Sequence, residues 1–367
     1  MKNYLVVGAG ITGATIARSL AEAGHLVKVI EKRNTIGGNC SDFFDENGIC
    51  VHEYGTHIFH TDSAEAWRFL SRFTKWNPYM HRVKAFIDGK LVPIPFNLDS
   101  LYLVFPEGLA KRLEEKLVET YGFNKKVPIL QLKESGDKDL IFLAEFVYEK
   151  VFLHYTLKQW GYTPEQLDPA VTARVPVFTG KDDRYFYNKY QGIPMQGYSA
   201  MIASMLDHPN IELLTGKAFE KKDAEGVDHV FYTGPIDEYF GYSLGQLPYR
   251  SLSFEFQTLD REFFQPGSVV NYPNNYDFTR IGEYKYFLNT VSEKTVISYE
   301  YPQDFVLGKN ERFYPLMTAE ARTMYEKYAA LVEKEKKISF IGRLAEYRYY
   351  DMDKSVVSAL EAVKAFI

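Results

Sequence analysis

Cysteine is scarce in this chain: its 367 residues include two, Cys40 and Cys50. Such a pair supplies neither a disulfide framework nor the four ligands of a structural zinc site, so we expect free thiols in a reducing compartment. Long apolar runs are also missing, and no stretch of about 18 apolar residues could form a membrane span. The chain starts with a predicted strand rather than a signal peptide. These features predict a cytoplasmic protein.

An excess of positive charge is missing as well. Lys and Arg total 43 and Asp and Glu total 48, which leaves a formal net charge of −5. A nucleic-acid partner is therefore not expected, and an anionic ligand must be bound by a local cluster of arginines and backbone N–H groups. Trp is scarce (3), whereas Tyr (28) and Phe (27) are abundant. So much tyrosine fits core packing or a hydroxyl-lined pocket for a sugar or nucleotide, and composition leaves both open.

The clearest motif is a glycine-rich turn near the start of the chain. Residues 4–7 form a short apolar run, and Gly8, Gly10 and Gly13 follow it in G-x-G-x-x-G spacing. Residues 11–23 then show the period of a helix. A strand, a glycine turn and a helix N-terminus in this order bind the pyrophosphate of a dinucleotide through free backbone N–H groups.

The following segment indicates which dinucleotide binds. Residues 26–30 predict a second strand, which ends in Glu31, an acid placed to accept the hydroxyls of an adenosine ribose. Gly37 and Gly38 then let the chain pass close to a bulky ligand. An NAD site does not need this second passage, whereas flavoproteins of the glutathione-reductase and amine-oxidase type commonly carry one. By this analogy we expect FAD.

Two histidines, His57 and His60, lie three residues apart in the stretch 51–61. They lack an acidic or cysteine partner at ligand spacing, so we expect no metal there. Two other interpretations stay open: a loop beside the flavin ring with one histidine near it, or two hydrogen-bonded structural histidines.

Residues 98–165 are largely helical by pattern and predict an inserted helical domain. Aromatic and amphipathic residues near its end form either core or a ligand-binding face. They are Phe152, Tyr155, Thr156 and Trp160. Residues 168–190 have little to bury, so we expect a mobile linker. It carries Arg174 and is either a lid for an anionic substrate or a plain solvated connection.

The remaining segments predict two sheets. Residues 82–94 alternate around Asp88-Gly89, a hairpin signal. Further strands of an antiparallel sheet are predicted at 251–257, 269–272, 286–288 and 295–301. Short strands at 211–214 and 230–232 could rejoin the first sheet.

Near the end of the chain, a strand at 338–342 is followed by a helix over 355–366 that Asp353 is expected to cap. This second helix N-terminus would stabilise negative charge on a reduced flavin.

Taken together, these segments resemble the bacterial UDP-galactopyranose mutases over nearly the whole chain. The similar motifs are GAGITG, IEKRNTIGGN, YGTHIFHT, FNLDS, YTLKQWG, YTGPID, YRSL and GRLAEYRYYDMD. The resemblance implies an α/β fold: a Rossmann-like FAD-binding domain of the glutathione-reductase/amine-oxidase type, with an inserted helical bundle and an antiparallel β-sheet domain. The implied boundaries are 1–80, 192–240 and 317–367 for the FAD-binding domain, 97–190 for the helical domain with its mobile substrate loop, and 81–96 and 241–316 for the sheet domain.

The resemblance also implies an isomerase that interconverts UDP-galactopyranose and UDP-galactofuranose with no net redox change. FAD must be reduced, its N5 attacks the anomeric carbon, and UDP leaves and returns. The implied partners are UDP-galactose and an electron donor, the implied assembly is a homodimer, and the product supplies galactofuranose for cell-surface glycans.

The family's functional residues carry over to matching positions. Those implied in catalysis are Arg174, Arg280 and His60. Those implied in substrate binding are Phe152, Tyr155, Thr156, Trp160, Arg174, Tyr185, Asn271, Arg280, Glu300, Tyr314, Arg343, Tyr349 and Asp351. Those implied in cofactor binding are Gly8, Gly10, Gly13, Glu31, Lys32, Gly38, Asn39, His57, Arg343, Asp351 and Met352.

Three alternatives remain at this point. A redox flavoenzyme such as an amine oxidase would share the fold but need no diphosphate clamp. A binding protein similar to Rab GDP-dissociation inhibitors would share it without FAD, although Glu31 and Gly37-Gly38 argue against this. A mutase that also accepts UDP-N-acetylgalactosamine is the third.

Overall fold

The computed structural model describes residues 1–167 and 176–367, which form two compact units. Unit 1 comprises Met1–Tyr79, Asn188–Tyr249 and Arg312–Ile367. Unit 2 comprises Met80–Tyr187 and Arg250–Glu311. Most residues of the expected helical and sheet domains belong to unit 2, and their division into separate domains stays a prediction.

The helices of the described residues are α1 (Ile11–Glu22), α2 (Ala64–Leu70), α3 (Leu98–Val104), α4 (Glu107–Tyr121), α5 (Ile129–Lys133), α6 (Lys138–Val147), α7 (His154–Trp160), α8 (Gly197–Leu206), α9 (Ile236–Tyr239), α10 (Ala319–Val332) and α11 (Met352–Val363). A π-helical segment, Tyr148–Leu153, joins α6 to α7.

The strands are β1 (Asn3–Val7), β2 (Leu26–Ile30), β3 (Asp42–Phe44), β4 (Cys50–His52), β5 (Phe59–Thr61), β6 (Trp76–Pro78), β7 (Val83–Ile87), β8 (Lys90–Ile94), β9 (Lys126–Val127), β10 (Val177–Phe178), β11 (Tyr190–Pro194), β12 (Ile211–Leu214), β13 (His229–Tyr232), β14 (Tyr249–Leu259), β15 (Val269–Asn271), β16 (Arg280–Glu283), β17 (Thr295–Asp304), β18 (Tyr314–Pro315) and β19 (Ile338–Phe340).

Unit 1 is built on a parallel sheet with the strand order β12-β2-β1-β13-β19. The β1–α1–β2 crossover is the Rossmann unit that the glycine motif predicts. Strand β1 is buried from Tyr4 to Val7, so its apolar side chains pack on both faces of the sheet. The predicted return of residues 211–214 and 230–232 to this sheet is confirmed.

The start of the last helix differs from the prediction. Helix α11 begins at Met352, with Asp351 at its N-cap position. The carboxylate of Asp353, expected to be the cap, instead accepts a hydrogen bond from Thr61 Oγ1 at 3.0 Å. This carboxylate therefore connects α11 to β5, a long-range contact that the local capping pattern does not contain.

Unit 2 combines helices α3–α7 with strands ordered β14-β17-β16-β15-β7-β8. The predicted hairpin is confirmed, since Asp88 (φ 47°) and Gly89 (φ 81°) take the left-handed turn conformation between β7 and β8. The strand predicted at 286–288 is wrong, because Tyr284–Tyr286 forms a 3₁₀ turn. The strand that pairs with β17 in this region is instead β16, which begins at Arg280.

The described part of the predicted linker is packed. Val177, Phe178 and Thr179 are buried, and β10 pairs antiparallel with β9. The expectation that this stretch has little to bury is therefore wrong for these residues. The mobility of the loop stays a prediction, and Arg174 lies outside the described residues.

Candidate active site

The glycine turn of unit 1 is as tight as its motif predicts. Gly8 has φ 104°, in the left-handed region. A Cβ placed on Gly13 would lie 1.9 Å from the carbonyl oxygen of Gly8, so any side chain would force α1 away from the turn. Helix α1 therefore begins directly behind β1, the arrangement that binds a pyrophosphate in dinucleotide-binding Rossmann units.

The second glycine segment, Gly37-Gly38, contacts the glycine turn at Ala9 and Gly10. A Cβ on Gly38 would lie 3.3 Å from Gly10 Cα, and the N–H of Gly37 donates to the carbonyl of Ala9 at 2.9 Å. Because Gly10 and Gly38 carry no side chain at this contact, the two backbone segments can approach each other closely. The residues present fit FAD.

Glu31 is held in one orientation by the backbone. The residue is 6 % exposed, and its two carboxylate oxygens accept hydrogen bonds from the N–H groups of Ala9 at 2.8 Å and Arg33 at 2.9 Å. Because a carboxylate has further lone pairs, it can still accept ribose hydroxyls. The neighbouring Lys32 is exposed.

The side chain of Asn39 connects two parts of unit 1. Its Oδ1 accepts from Arg33 Nη2 at 3.1 Å, and its Nδ2 donates to the carbonyl of Arg312 at 3.2 Å. The guanidinium of Arg33 lies 4.6 Å from the ring centre of Tyr54. These contacts fix the end of the second glycine segment.

Arg312 was not identified from the sequence. Its side chain is 6 % exposed, and its guanidinium lies 3.0 Å from the carboxylate of Glu238 and 3.9 Å from that of the fully buried Asp237. Burial raises the pKa of Asp237, and Arg312 opposes that rise. The acidic pair in the YTGPIDE segment was the available signal, because a buried acid needs a cation.

The histidines of the 51–61 stretch are each hydrogen-bonded. His52 is fully buried and accepts the N–H of His57 at 2.9 Å. Burial, and secondarily His57, lowers the pKa of His52 to about 3. His60 Nδ1 lies 2.9 Å from Asn188 Oδ1, and its Nε2 lies 3.9 Å from the carboxylate of Asp351.

A separate group in unit 1, Asp42, Cys50 and His52, has ligand-type atoms within 4.8 Å of one another. Asp42 accepts the backbone N–H groups of Tyr198 at 2.5 Å and Ser199 at 2.9 Å at the start of α8. Its carboxylate therefore caps a helix, which accounts for its burial without an ion.

The segment before α11 gathers several predicted residues in unit 1. The guanidinium of Arg343 lies 5.7 Å from the ring centre of Tyr314, whose ring is 5.5 Å from that of Tyr349. Met352 Sδ accepts from Cys40 Sγ at 3.4 Å, next to Asn39. The start of α11 therefore lies beside the second glycine segment.

In unit 2, strand register aligns three predicted substrate residues. Asn271 is opposite Arg280 on the neighbouring strand, and Arg280 is opposite Glu300 on the next. Residues opposite each other share a face of the sheet, so the three side chains form one row. Asn271 Oδ1 is buried and accepts no hydrogen bond from the described residues.

Arg280 contacts both Tyr155 and Glu300. Its Nη2 donates to the hydroxyl of Tyr155, and its Nε lies 3.3 Å from Glu300 Oε1. Burial raises the pKa of Tyr155, so the phenol stays neutral; Arg280 opposes this effect, while Glu300 and Tyr185 add to it. Glu300 is 5 % exposed and Arg280 is 26 % exposed, so the guanidinium can still reach a ligand.

The other predicted residues of α7 and its surroundings are mostly buried. Phe152, Thr156 and Trp160 are less than a tenth exposed. Phe152 belongs to the π-helical segment, an irregularity that is frequent at functional sites. Tyr185 donates its backbone N–H to the carbonyl of His81 at 2.8 Å and leaves its side chain partly exposed.

A protein-family model described as UDP-galactopyranose mutase matches residues 150–349, and one described as an NAD(P)-binding Rossmann-like domain matches residues 6–73. A probable UDP-galactopyranose mutase of Klebsiella pneumoniae is 38% identical over 100% of this chain and 95% of its own length. The chain belongs to the UDP-galactopyranose mutase family.

Two further relatives are similar to the chain over nearly their full length. A UDP-galactopyranose mutase of Mycoplasma pneumoniae is 33% identical over 98% of this chain and 94% of its own. A dTDP-fucopyranose mutase of Escherichia coli is 36% identical over 100% of this chain and 99% of its own. UDP-galactopyranose mutases are isomerases, so the predicted enzyme class is confirmed.

Solved structures confirm the predicted fold class. A reduced UDP-galactopyranose mutase matches with a TM-score of 0.77 at 18% identity, covering 100% of this chain and 95% of the other. A putrescine oxidase matches with a TM-score of 0.60 at 10% identity, covering 99% and 98%. Among the described residues, no helix has the length and apolarity to cross a membrane.

Proposed function

We propose that this member of the UDP-galactopyranose mutase family interconverts UDP-galactopyranose and UDP-galactofuranose with reduced FAD and no net redox change. Family membership carries the proposal, together with the position of Arg280 between Tyr155 and Glu300. We further propose a cytoplasmic homodimer that receives electrons from a separate donor and supplies galactofuranose for cell-surface glycans.

The glycine segments and Glu31 support the cofactor proposal. Bare backbone at Gly10 and Gly38 would accept the pyrophosphate, and Glu31 would accept the ribose hydroxyls. When bound and reduced, FAD would supply through N5 the nucleophile that displaces UDP from the anomeric carbon. The dipole of α11, which begins at Met352, would favour negative charge nearby.

The residues of unit 2 support a diphosphate ligand. We propose that Arg280, oriented by Tyr155 and Glu300, binds the phosphate oxygens and stabilises the leaving UDP. Arg174 is proposed as its partner from the sequence. Asn271 Oδ1, which has no hydrogen-bond donor among the described residues, would accept a hydrogen bond from a substrate hydroxyl. Phe152, Tyr155, Thr156, Trp160 and Tyr185 are proposed contacts of the uridine and phosphates.

The residues of unit 1 would hold the flavin and sugar. We propose that His57, His60, Arg343, Tyr314, Tyr349 and Asp351 surround them. The amide of Asn188 donates to Asp62 at 2.8 Å, which turns its Oδ1 toward His60 Nδ1. His60 would therefore carry its proton on Nδ1 and keep one orientation beside the flavin.

The test is an assay of the purified protein with UDP-galactofuranose, with and without dithionite, in which UDP-galactopyranose is followed by chromatography. We expect conversion only after reduction. An Arg174→Ala variant should turn over slower by orders of magnitude, and near-normal kinetics would remove Arg174 from the site. A yellow protein that stays inactive after reduction would contradict the mutase proposal.

The Escherichia coli relative supplies a second candidate substrate, because its name identifies it as a dTDP-fucopyranose mutase at 36% identity. The same assay with dTDP-fucopyranose tests this candidate. We expect a higher kcat/KM for the UDP-galactose pair. The reverse preference would assign the chain to the deoxynucleotide sugar while leaving the reaction type unchanged.

A further inference from the structure

Lys158 makes an unusual set of contacts from helix α7. It lies on the same helix as Tyr155, and its ammonium donates to the backbone carbonyls of Tyr272, Tyr276 (3.0 Å) and Phe278 (3.0 Å). All three carbonyls belong to the turn that joins β15 to β16. One half-buried side chain therefore contacts a turn more than 100 positions away in the sequence.

This turn begins after Asn271 and ends at Arg280, so it connects two of the proposed substrate residues. A second contact comes from Asn274, whose amide donates to the carbonyl of Lys150 at 2.7 Å in the π-helical segment. The turn is thus attached at two points to the continuous helix that carries Tyr155.

Helix α7 is itself held at its end. Arg250 donates through Nε to the carbonyl of Gln159 at 2.9 Å and through Nη2 to that of Lys158 at 3.1 Å. These carbonyls are among those that a helix leaves unsatisfied at its C-terminus. Because these contacts hold α7 in position, the ammonium of Lys158 on this helix can in turn hold the 272–279 turn.

The chemistry of the contact suits an ammonium. Burial lowers the pKa of Lys158 to about 8, and Asp277 opposes that effect. Carbonyl acceptors also favour the charged form, so Lys158 is protonated near neutral pH. An ammonium carries three donors, which matches the three carbonyls. Removing it would leave those acceptors without their donor.

We propose that Lys158 is a positioning residue that holds the 272–279 turn against α7 and so presents Arg280 to the diphosphate. This inference rests on the proposed function. It predicts a preformed site, in which binding does not need to order the turn.

The test compares Lys158→Met with the natural protein by calorimetric titration with UDP. Methionine keeps the length and apolar stem but cannot donate, and we expect UDP binding to weaken by about 10- to 100-fold because Arg280 is misplaced. The matched control is Lys111→Met, an exposed lysine of unit 2 on α4. It should bind UDP as the natural protein does.

A rescue separates positioning from a loss of fold. Lys158→Cys alkylated with 2-bromoethylamine recreates an ammonium at nearly the original distance. Burial raises the pKa of Cys40 to about 12 and also raises that of Cys50, so both native thiols resist alkylation. We expect alkylation to restore UDP affinity to within a few-fold of the natural protein. Failure to restore it would overturn the proposal, as would unchanged affinity in Lys158→Met.

Hydrogen exchange supplies a readout that does not depend on UDP. The N–H of Tyr272 donates to Thr279 and that of Thr279 donates to Glu300, each at 2.8 Å. Both amides should exchange faster in Lys158→Met. If the natural protein binds no UDP, the proposed function fails, whereas this measurement still tests whether Lys158 holds the 272–279 turn against α7. If Lys158→Met does not fold, Lys158→Cys before and after alkylation supplies the same comparison, and equal exchange of both amides in the two forms would overturn the proposal.

Discussion

The guanidinium of Arg280 donates a hydrogen bond through Nη2 to the hydroxyl of Tyr155, and its Nε lies 3.3 Å from the buried carboxylate of Glu300. The arginine is thereby oriented before any ligand arrives. Tyr155 and Glu300 have different effects on Arg280. Tyr155 orients the guanidinium, whereas the buried Glu300 both orients it and compensates its positive charge. Each partner can be tested separately.

Replacing the arginine should weaken ligand binding more than removing its neutral partner. We expect Arg280→Lys to bind UDP about 100-fold more weakly, because lysine cannot make the forked contact to phosphate. Tyr155→Phe removes one hydrogen bond and should weaken binding by about 10-fold. Calorimetric titration measures both.

Arg112→Lys serves as the control, since Arg112 pairs with Asp139 at the surface of the same unit. Equal affinities in Arg280→Lys and the natural protein would remove Arg280 from the diphosphate site.

The glycine turn predicts a selective loss of cofactor. In Gly13→Ala the new methyl group would collide with the Gly8 carbonyl, a backbone atom that cannot rotate away. We expect less than about a tenth of the natural flavin content after purification, because the turn that receives the pyrophosphate is displaced.

Flavin absorbance per mole of protein measures this effect. Gly108→Ala is the matched control, because a Cβ there meets nothing within 4 Å. Full flavin content in Gly13→Ala would show that the turn does not hold the pyrophosphate.

His52 predicts a pH-dependent stability. Its folded-state pKa of about 3 lies below the ordinary value of 6.5. The unfolded chain therefore takes up a proton as the pH falls through 6.5, whereas the folded protein does not until near 3, so acid favours unfolding. His52→Asn keeps an acceptor for the His57 N–H and should lose this dependence.

Urea unfolding at pH 7 and pH 5 measures the difference. We expect the fall in unfolding free energy to be about 2 kcal/mol smaller in His52→Asn than in the natural protein. His154→Gln, at an exposed position, should leave the fall unchanged. The same pH dependence in His52→Asn would mean that other groups cause it.

The buried Arg312, which faces both Asp237 and Glu238, predicts a large effect on stability. Arg312→Leu leaves the fully buried Asp237 without its cation and should lower the unfolding free energy by about 3 to 5 kcal/mol. Arg72→Ala breaks an exposed pair with Glu22 and should lower it by at most about 1 kcal/mol. Chemical denaturation measures the free energy of unfolding of both variants. A decrease in Arg312→Leu as small as that in Arg72→Ala would contradict the prediction.

Local patterns predicted elements of both units. The spacing of Gly8, Gly10 and Gly13 predicted the β1–α1 turn because only glycine tolerates its φ angle and close approach. Asp88-Gly89 likewise predicted the β7–β8 hairpin. Motif similarity over the chain then predicted the family, which the comparisons confirm.

Only the tertiary structure decided which side chains meet. Arg280 and Tyr155 are 125 positions apart, and Asn39 and Arg312 are 273 apart. Such contacts depend on the register of strands distant in sequence, which hydrophobic periodicity does not encode. The same limit explains the wrong strand at 286–288 and the misplaced cap at Asp353, whose carboxylate is engaged by Thr61. Lys158 was missed because its partners are backbone carbonyls, which any residue type supplies.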